Sequence, residues 1–79
     1  MTRPIYEIAA EIRKDWAKPY FGAVPYLDAM RRLASITDNY YHDSGASIVL
    51  YFLANATTWR GETARRIKAE LKSLLKKGA

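Results

Sequence analysis

The 79-residue chain contains no cysteine and a single histidine, His42. Without thiols, neither a disulfide framework nor a thiolate metal site can hold the fold, so packing alone must do so. One imidazole would need several carboxylates from distant segments to complete a zinc site, and no metal is expected. Asp38, Asn39 and Asp43 resemble calcium ligands at first sight, but the glycine and glutamate that such a loop requires further along are missing. Long apolar runs are absent too. The stretch from Ile48 to Ala54 is far below membrane-spanning length and is flanked by polar residues. The N-terminal MTRPIYEIAAEI alternates charged and apolar residues, with no apolar stretch of signal-peptide type. The expectation is a cytoplasmic protein that does not engage a membrane.

Catalytic signatures are equally scarce. TTWRGET holds one glycine and no lysine where a phosphate-cradling loop needs it. None of Ser35, Ser44, Ser47 or Ser73 stands in a nucleophile context, and His42 is the only imidazole that could serve as base. The expectation is therefore a protein that is not an enzyme and takes no cofactor.

What is present is a globular composition, 49% apolar, in a length that suits one domain over residues 1–79. The apolar rhythm is helical throughout, and it predicts an all-α, compact four-helix domain with a buried third helix and a basic C-terminal helix. Ile5, Ile8, Ala9, Ile12 and Trp16 recur at intervals of three and four, predicting a first helix over 3–17 with Thr2 as its cap and Pro4 at an early position. The segment AKPYFGAVPY is an aromatic corner, because Lys18 precedes a proline and Pro25 suits the first turn of a new helix. A second helix follows over 24–35, with Tyr26, Leu27, Met30, Leu33 and Ala34 inward. The connection ASITDNYYHDSG carries Thr37, Asp38 and Asn39, which can cap a short turn holding Tyr40 and Tyr41.

The organising segment is DSGASIVLYFLANA. Free of charge from Ile48 to Ala54, it predicts a helix over 44–56 covered on nearly every side, capped by Asp43 or Ser44, with Ile48, Val49, Leu50, Tyr51, Phe52 and Leu53 buried. Thr58 is the expected cap of a last helix over 59–77 that opens on Trp59, unless Gly61 defers its start to Glu62. Trp59 itself reads as a core anchor rather than a stacking platform.

Charge is distributed unevenly. The formal net charge is +5, and residues 60–79 alone hold seven basic side chains against Glu62 and Glu70, so the rest of the chain is balanced. Arg65, Lys68, Lys72 and Lys76 share one face of the last helix, in a band of roughly 80° and about 16 Å long, beside the apolar stripe of Ala64, Ile67, Leu71, Leu74 and Leu75. Glu62 stands where it can pair with Arg66 at i+4. This ribbon, with Arg60 and Arg66, points to the phosphate backbone of DNA or RNA. A buried helix, a short turn and a basic helix is also the outline of a helix-turn-helix, in which Arg60, Arg65 and Arg66 would be the base readers. The alternative partner is an acidic protein surface, met by the basic helix together with an exposed patch of Tyr20, Phe21, Tyr40 and Tyr41, aromatics of the kind enriched at binding hot spots.

The stretches RPIYEIAAEIRKDW and SIVLYFLANATTWRGETARRIKAEL, about half of the chain together, resemble small all-helical proteins carried by phages and mobile elements of Gram-positive bacteria. That group has no settled activity, so the resemblance gives no residue a role. What it implies is a small accessory protein that binds nucleic acid or blocks a host protein.

Overall fold

A computed structural model of the protein describes residues 3–78. Four helices, α1 (Ile5–Asp15), α2 (Val24–Met30), α3 (Gly45–Ala54) and α4 (Glu62–Gly78), enclose one core, and a minimal hairpin of β1 (Asn39–Tyr40) and β2 (Asp43–Ser44) precedes α3. The class is all-α, as the periodicity implies.

In α1 the residues Ile5, Ile8, Ala9 and Ile12 are buried, as their spacing requires. Pro4 occupies the N-cap in extended conformation, one position earlier than a helical proline. Among the described residues no side chain caps this helix. Its first amides instead donate to another part of the chain, Ile5 N–H to the Ala34 carbonyl at 3.0 Å and Tyr6 N–H to that of Leu33 at 2.8 Å. Those bonds satisfy orphan donors that every helix start leaves open. The Thr2 cap expected from the sequence lies outside the described residues.

Helix α2 carries Pro25 in its first turn, as expected, but stops at Met30, five residues short of the predicted end. The Asp38 carboxylate accepts from the Ala34 and Ser35 amides at 2.9 and 3.0 Å, drawing both out of helical geometry. Leu27, Ala29, Met30 and Leu33 are buried, Tyr26 is half-buried, and Ala34 is exposed rather than inward. The hairpin that follows pairs Asn39 with Ser44 and Tyr40 with Asp43 in antiparallel register. Its two-residue loop puts Tyr41 at φ 58°, a region costly for a side chain of this size.

Ser44 is the cap of α3, its hydroxyl accepting from the Ser47 amide at 3.1 Å. Ile48, Val49 and Phe52 are buried, and α3 packs between its neighbours as the buried third helix. Two of its large residues depart from expectation: Leu50 is 55% exposed and Tyr51 50%. A domain of this size has too few elements to coat a helix all round, so one face of even the most apolar helix meets water.

The connection from α3 to α4 takes seven residues because Trp59 leaves helical geometry to enter the core, where it is 2% exposed. Helix α4 therefore opens at Glu62. Thr58 is exposed and lies outside the helix, and the residue before Glu62 is Gly61 at φ 116° with open space around it, so glycine there serves the backbone angle alone. Trp59 anchors the far end of the core. Its ring stacks on Trp16 at 5.8 Å and 13°, both rings meet Phe52 edge-on at 6.3 and 6.4 Å, and its indole N–H donates to Asp15 at 2.8 Å.

Candidate nucleic-acid interface

The apolar stripe of α4, Ala64, Ile67 and Leu71, faces the core, with Leu74 and Leu75 half-buried against it. Turning 100° per residue from that stripe, Arg65, Lys72 and Lys76 fall within about 40° of one another on the flank beyond Lys68. All three are exposed, as is Arg60 just before the helix. Among the described residues none of these four enters a salt bridge. They form one open line of positive charge.

Lys68 does not belong to that line. Its ammonium donates to the carbonyls of Ala56 and Trp59 at 2.7 and 2.6 Å, and it sits 5.8 Å from the centre of the Trp59 ring. Burial pushes its pKa below the ordinary lysine value, and Lys72 and Arg60 add repulsion. The sequence places Lys68 in the ribbon by spacing alone; the structure commits it to closing the loop that precedes α4. Arg66 is diverted as well. It pairs with Glu11 of α1, not with Glu62, while Arg3 bridges the same Glu11 at 2.7 Å and Glu70 at 2.7 Å. These four residues fasten α1 to α4 on a flank separate from the exposed line.

The consequence is a sorting of charge. Among the described residues Glu11 and Glu70 are taken up by Arg3 and Arg66, while Arg60, Arg65, Lys72 and Lys76 enter no salt bridge and Glu62 is the exposed acid left on α4. Arg60, Arg65 and Lys68 also line an open cleft of about 400 Å³ with Trp59 and Gly61 at the start of the helix. A line of exposed cations attracts polyanions; whether it reads base edges depends on a recognition helix, and that outline weakens here. The connection is longer than a helix-turn-helix turn, and Arg66, one of the three candidate base readers, is engaged with Glu11.

The network has an acid-stability signature. Arg3 first, then Arg66, holds the Glu11 carboxyl below its ordinary value near 4.5. A carboxyl whose folded pKa is lowered stabilises the fold above the unfolded value and loses that contribution as pH falls through the folded one. Replacing Arg3 with methionine is expected to raise the Glu11 pKa, read by carboxyl NMR titration, and to shrink the loss of stability on acidification below about pH 4.5. An unchanged Glu11 titration would contradict the network.

The aromatic candidates divide into two pairs. Tyr40 and Tyr41 touch at 4.7 Å in the hairpin, Tyr41 at 85% exposure and Tyr40 half-buried beside Asp28, Arg31 and Arg32. Tyr20 and Phe21 touch at 4.8 Å in the corner before α2, at 45% and 80% exposure. The four do not make the single patch expected from sequence, because the hairpin leads into the start of α3 whereas the corner lies at its end, about 15 Å away along the helix. Tyr51, 5.5 Å from half-buried Tyr26, and Leu50 are exposed, where the sequence reading assigns both to the core.

Among the described residues no three carboxylate or imidazole groups gather as metal ligands would. Nor is any described helix long and apolar enough to cross a membrane. Comparison of the chain with protein-family models, with curated proteins and with solved structures finds no match in any of the three.

Proposed function

We propose that this is a non-enzymatic, cytoplasmic accessory protein that binds the phosphate backbone of nucleic acid through Arg65, Lys72 and Lys76 of α4, extended by Arg60. The observation that carries the reading is the exposed line itself, free of salt bridges among the described residues while Glu11 and Glu70 are held by Arg3 and Arg66. Phosphate contacts made this way carry little sequence preference. The resemblance to small mobile-element proteins suits such an accessory role.

Four phosphate contacts predict a log–log dependence of duplex DNA affinity on salt with a slope near −3 to −4, because each neutralised phosphate releases condensed counterions. Replacing Lys72 and Lys76 together with glutamine is expected to flatten that slope by nearly 2 with helix content unchanged, since both side chains are exposed. Lys68→Gln supplies the contrast. It should lower stability by roughly 1–3 kcal/mol, the cost of leaving half-buried acceptors unmet, and leave the slope intact. Equal binding to a negatively charged polymer without bases or sugars would reduce the signal to bulk charge. No binding at low salt would remove the reading.

A second reading has one observation in its favour. Tyr41 is held at φ 58° and 85% exposed at the hairpin tip, and strain kept at an exposed aromatic marks a candidate contact for a protein partner, including a host protein that a mobile element would block. Tyr41→Ala in a binding assay against that partner is its test.

A further inference from the structure

The corner that presents Tyr20 and Phe21 is fixed at both ends to the connection that leads into α4. At one end Trp16 stacks on Trp59 at 5.8 Å. At the other, Gly22 packs so closely on Tyr20 and Asn55 that a β-carbon there would lie 2.6 Å from the tyrosine ring and 3.0 Å from the Asn55 side-chain oxygen. Asn55 is itself held, its amide side chain donating to the Tyr51 carbonyl at 2.9 Å. From Asn55 to Arg60 the chain advances five residues, at most about 18 Å if fully extended. The aromatic pair and the start of the basic line are thus fastened to the same short connection between α3 and α4.

The corner is also rigid. Ala23 N–H donates to the Tyr20 carbonyl at 2.8 Å, and Ala23 is fully buried, so the turn bearing the two rings is nailed to the core. Gly22 lets the Tyr20 ring lie against the backbone, with Phe21 tilted 55° to it. Phe21 keeps its ring in water at 80% exposure, with Tyr20 as its aromatic neighbour among the described residues. An aromatic face held open and joined through one short connection to exposed arginines suits unpaired bases: the rings stack on bases while the cations follow the phosphates. Stacked duplex bases offer no such face.

We infer that the protein prefers single-stranded nucleic acid, with Phe21 and Tyr20 as the stacking platform and Arg60 and Arg65 receiving the adjoining phosphates. The inference rests on the phosphate-binding reading above and adds to it the strandedness of the ligand. Bases of any identity fit, because every base has a π-face, whereas a protein partner would not reproduce the repeating charge that the basic line matches.

The test measures affinity by fluorescence anisotropy for an oligothymidine of roughly ten nucleotides, for a duplex of equal length, and for an oligomer of the same backbone lacking its bases. The intact protein should bind oligothymidine more tightly than either of the others. Phe21→Ala should cut oligothymidine affinity roughly 5- to 100-fold, the worth of one stacked base, and leave the duplex and the base-free strand unaffected. Phe21→Trp should restore it. Since Phe21 is exposed, the alanine variant should keep its melting temperature, which circular dichroism checks. Lys72→Gln with Lys76→Gln should weaken all three ligands alike. Equal affinity for oligothymidine and duplex, or an alanine variant that loses nothing, would overturn the inference while leaving phosphate binding intact, and would free the aromatic pair for a protein contact. Failure to bind any of the three would overturn both.

Discussion

Phe52→Ala is expected to remove about 3–5 kcal/mol of stability, the range for truncating a large buried aromatic. Phe52 is completely buried, and its ring meets Trp16, which caps the end of α1, and Trp59 from the connection to α4 at 6.3 and 6.4 Å. One truncation therefore opens a void where three parts of the chain converge. The neighbours cannot close it cheaply: Trp59 is tied to Asp15 through its indole N–H, and its carbonyl is held by Lys68. Small domains are stable by roughly 5–15 kcal/mol, so the variant would lose a large share of its margin. Urea denaturation followed by tryptophan fluorescence measures this directly. A loss below about 1 kcal/mol would mean that Phe52 does not hold the core together.

Gly45→Ala should cost nearly as much for the opposite reason, an added atom rather than a removed one. A β-carbon at Gly45 would stand 2.8 Å from the Ser35 carbonyl oxygen and 3.0 Å from the Ile36 Cα and carbonyl oxygen. These are backbone atoms, and no rotamer change can move them. The start of α3 would have to retreat from the preceding loop, straining the bonds from Gly45 N–H to Asp38 at 2.6 Å and from Ala46 N–H to Ile36 at 2.9 Å. Overpacking against backbone together with weakened hydrogen bonds amounts to about 2–3 kcal/mol. In a domain of this size that lowers the melting temperature by roughly 10–20 °C. Alanine at Gly61 provides the control: nothing crowds that position, so only its backbone angle resists, at about 1–2 kcal/mol. Equal melting temperatures for the Gly45 variant and the parent chain would show that α3 does not need this close approach.

Much of the architecture is legible in residue spacing. The stripes of α1 and α4, the proline opening α2, the serine capping α3 and the alternative start of α4 at Glu62 all follow from local chemistry, and each stands in the structure. The misses share a cause: they are decided by groups that periodicity does not register. Asp38 ends α2 by capturing amides upstream of it. Tyr40 and Asp43 pair around a loop with no glycine to announce it. Hydropathy counts Leu50 and Tyr51 as interior, yet it has no knowledge of how many neighbours a short chain can supply.

The basic face illustrates the same limit. Helical rhythm groups Lys68 with Arg65, Lys72 and Lys76, and nothing in the sequence marks the Ala56 and Trp59 carbonyls as its destination. Arg3 and Glu70 are 67 residues apart, so their pairing is invisible to any rule about i and i+4. The one local sign is position: Lys68 lies between the apolar stripe and the exposed line, where a lysine stem can follow apolar surface and its ammonium reach carbonyls of the preceding loop.

The start of α1 has a bearing on the order in which the molecule opens. A free helix end frays on its own, since its first amides bond only to water and exchange hydrogen without disturbing the rest. Here the Ile5 and Tyr6 amides bond to the carbonyls of Ala34 and Leu33, residues the chain reaches only after passing through α2. For those two amides to exchange, the first turn of α1 must part from the loop behind α2, so hydrogen exchange there is expected to be slower than at a free helix end. The capping of α1 is in this sense non-local: its first amides find their acceptors only when a segment beyond α2 arrives, although the helix's own sequence is strongly helical.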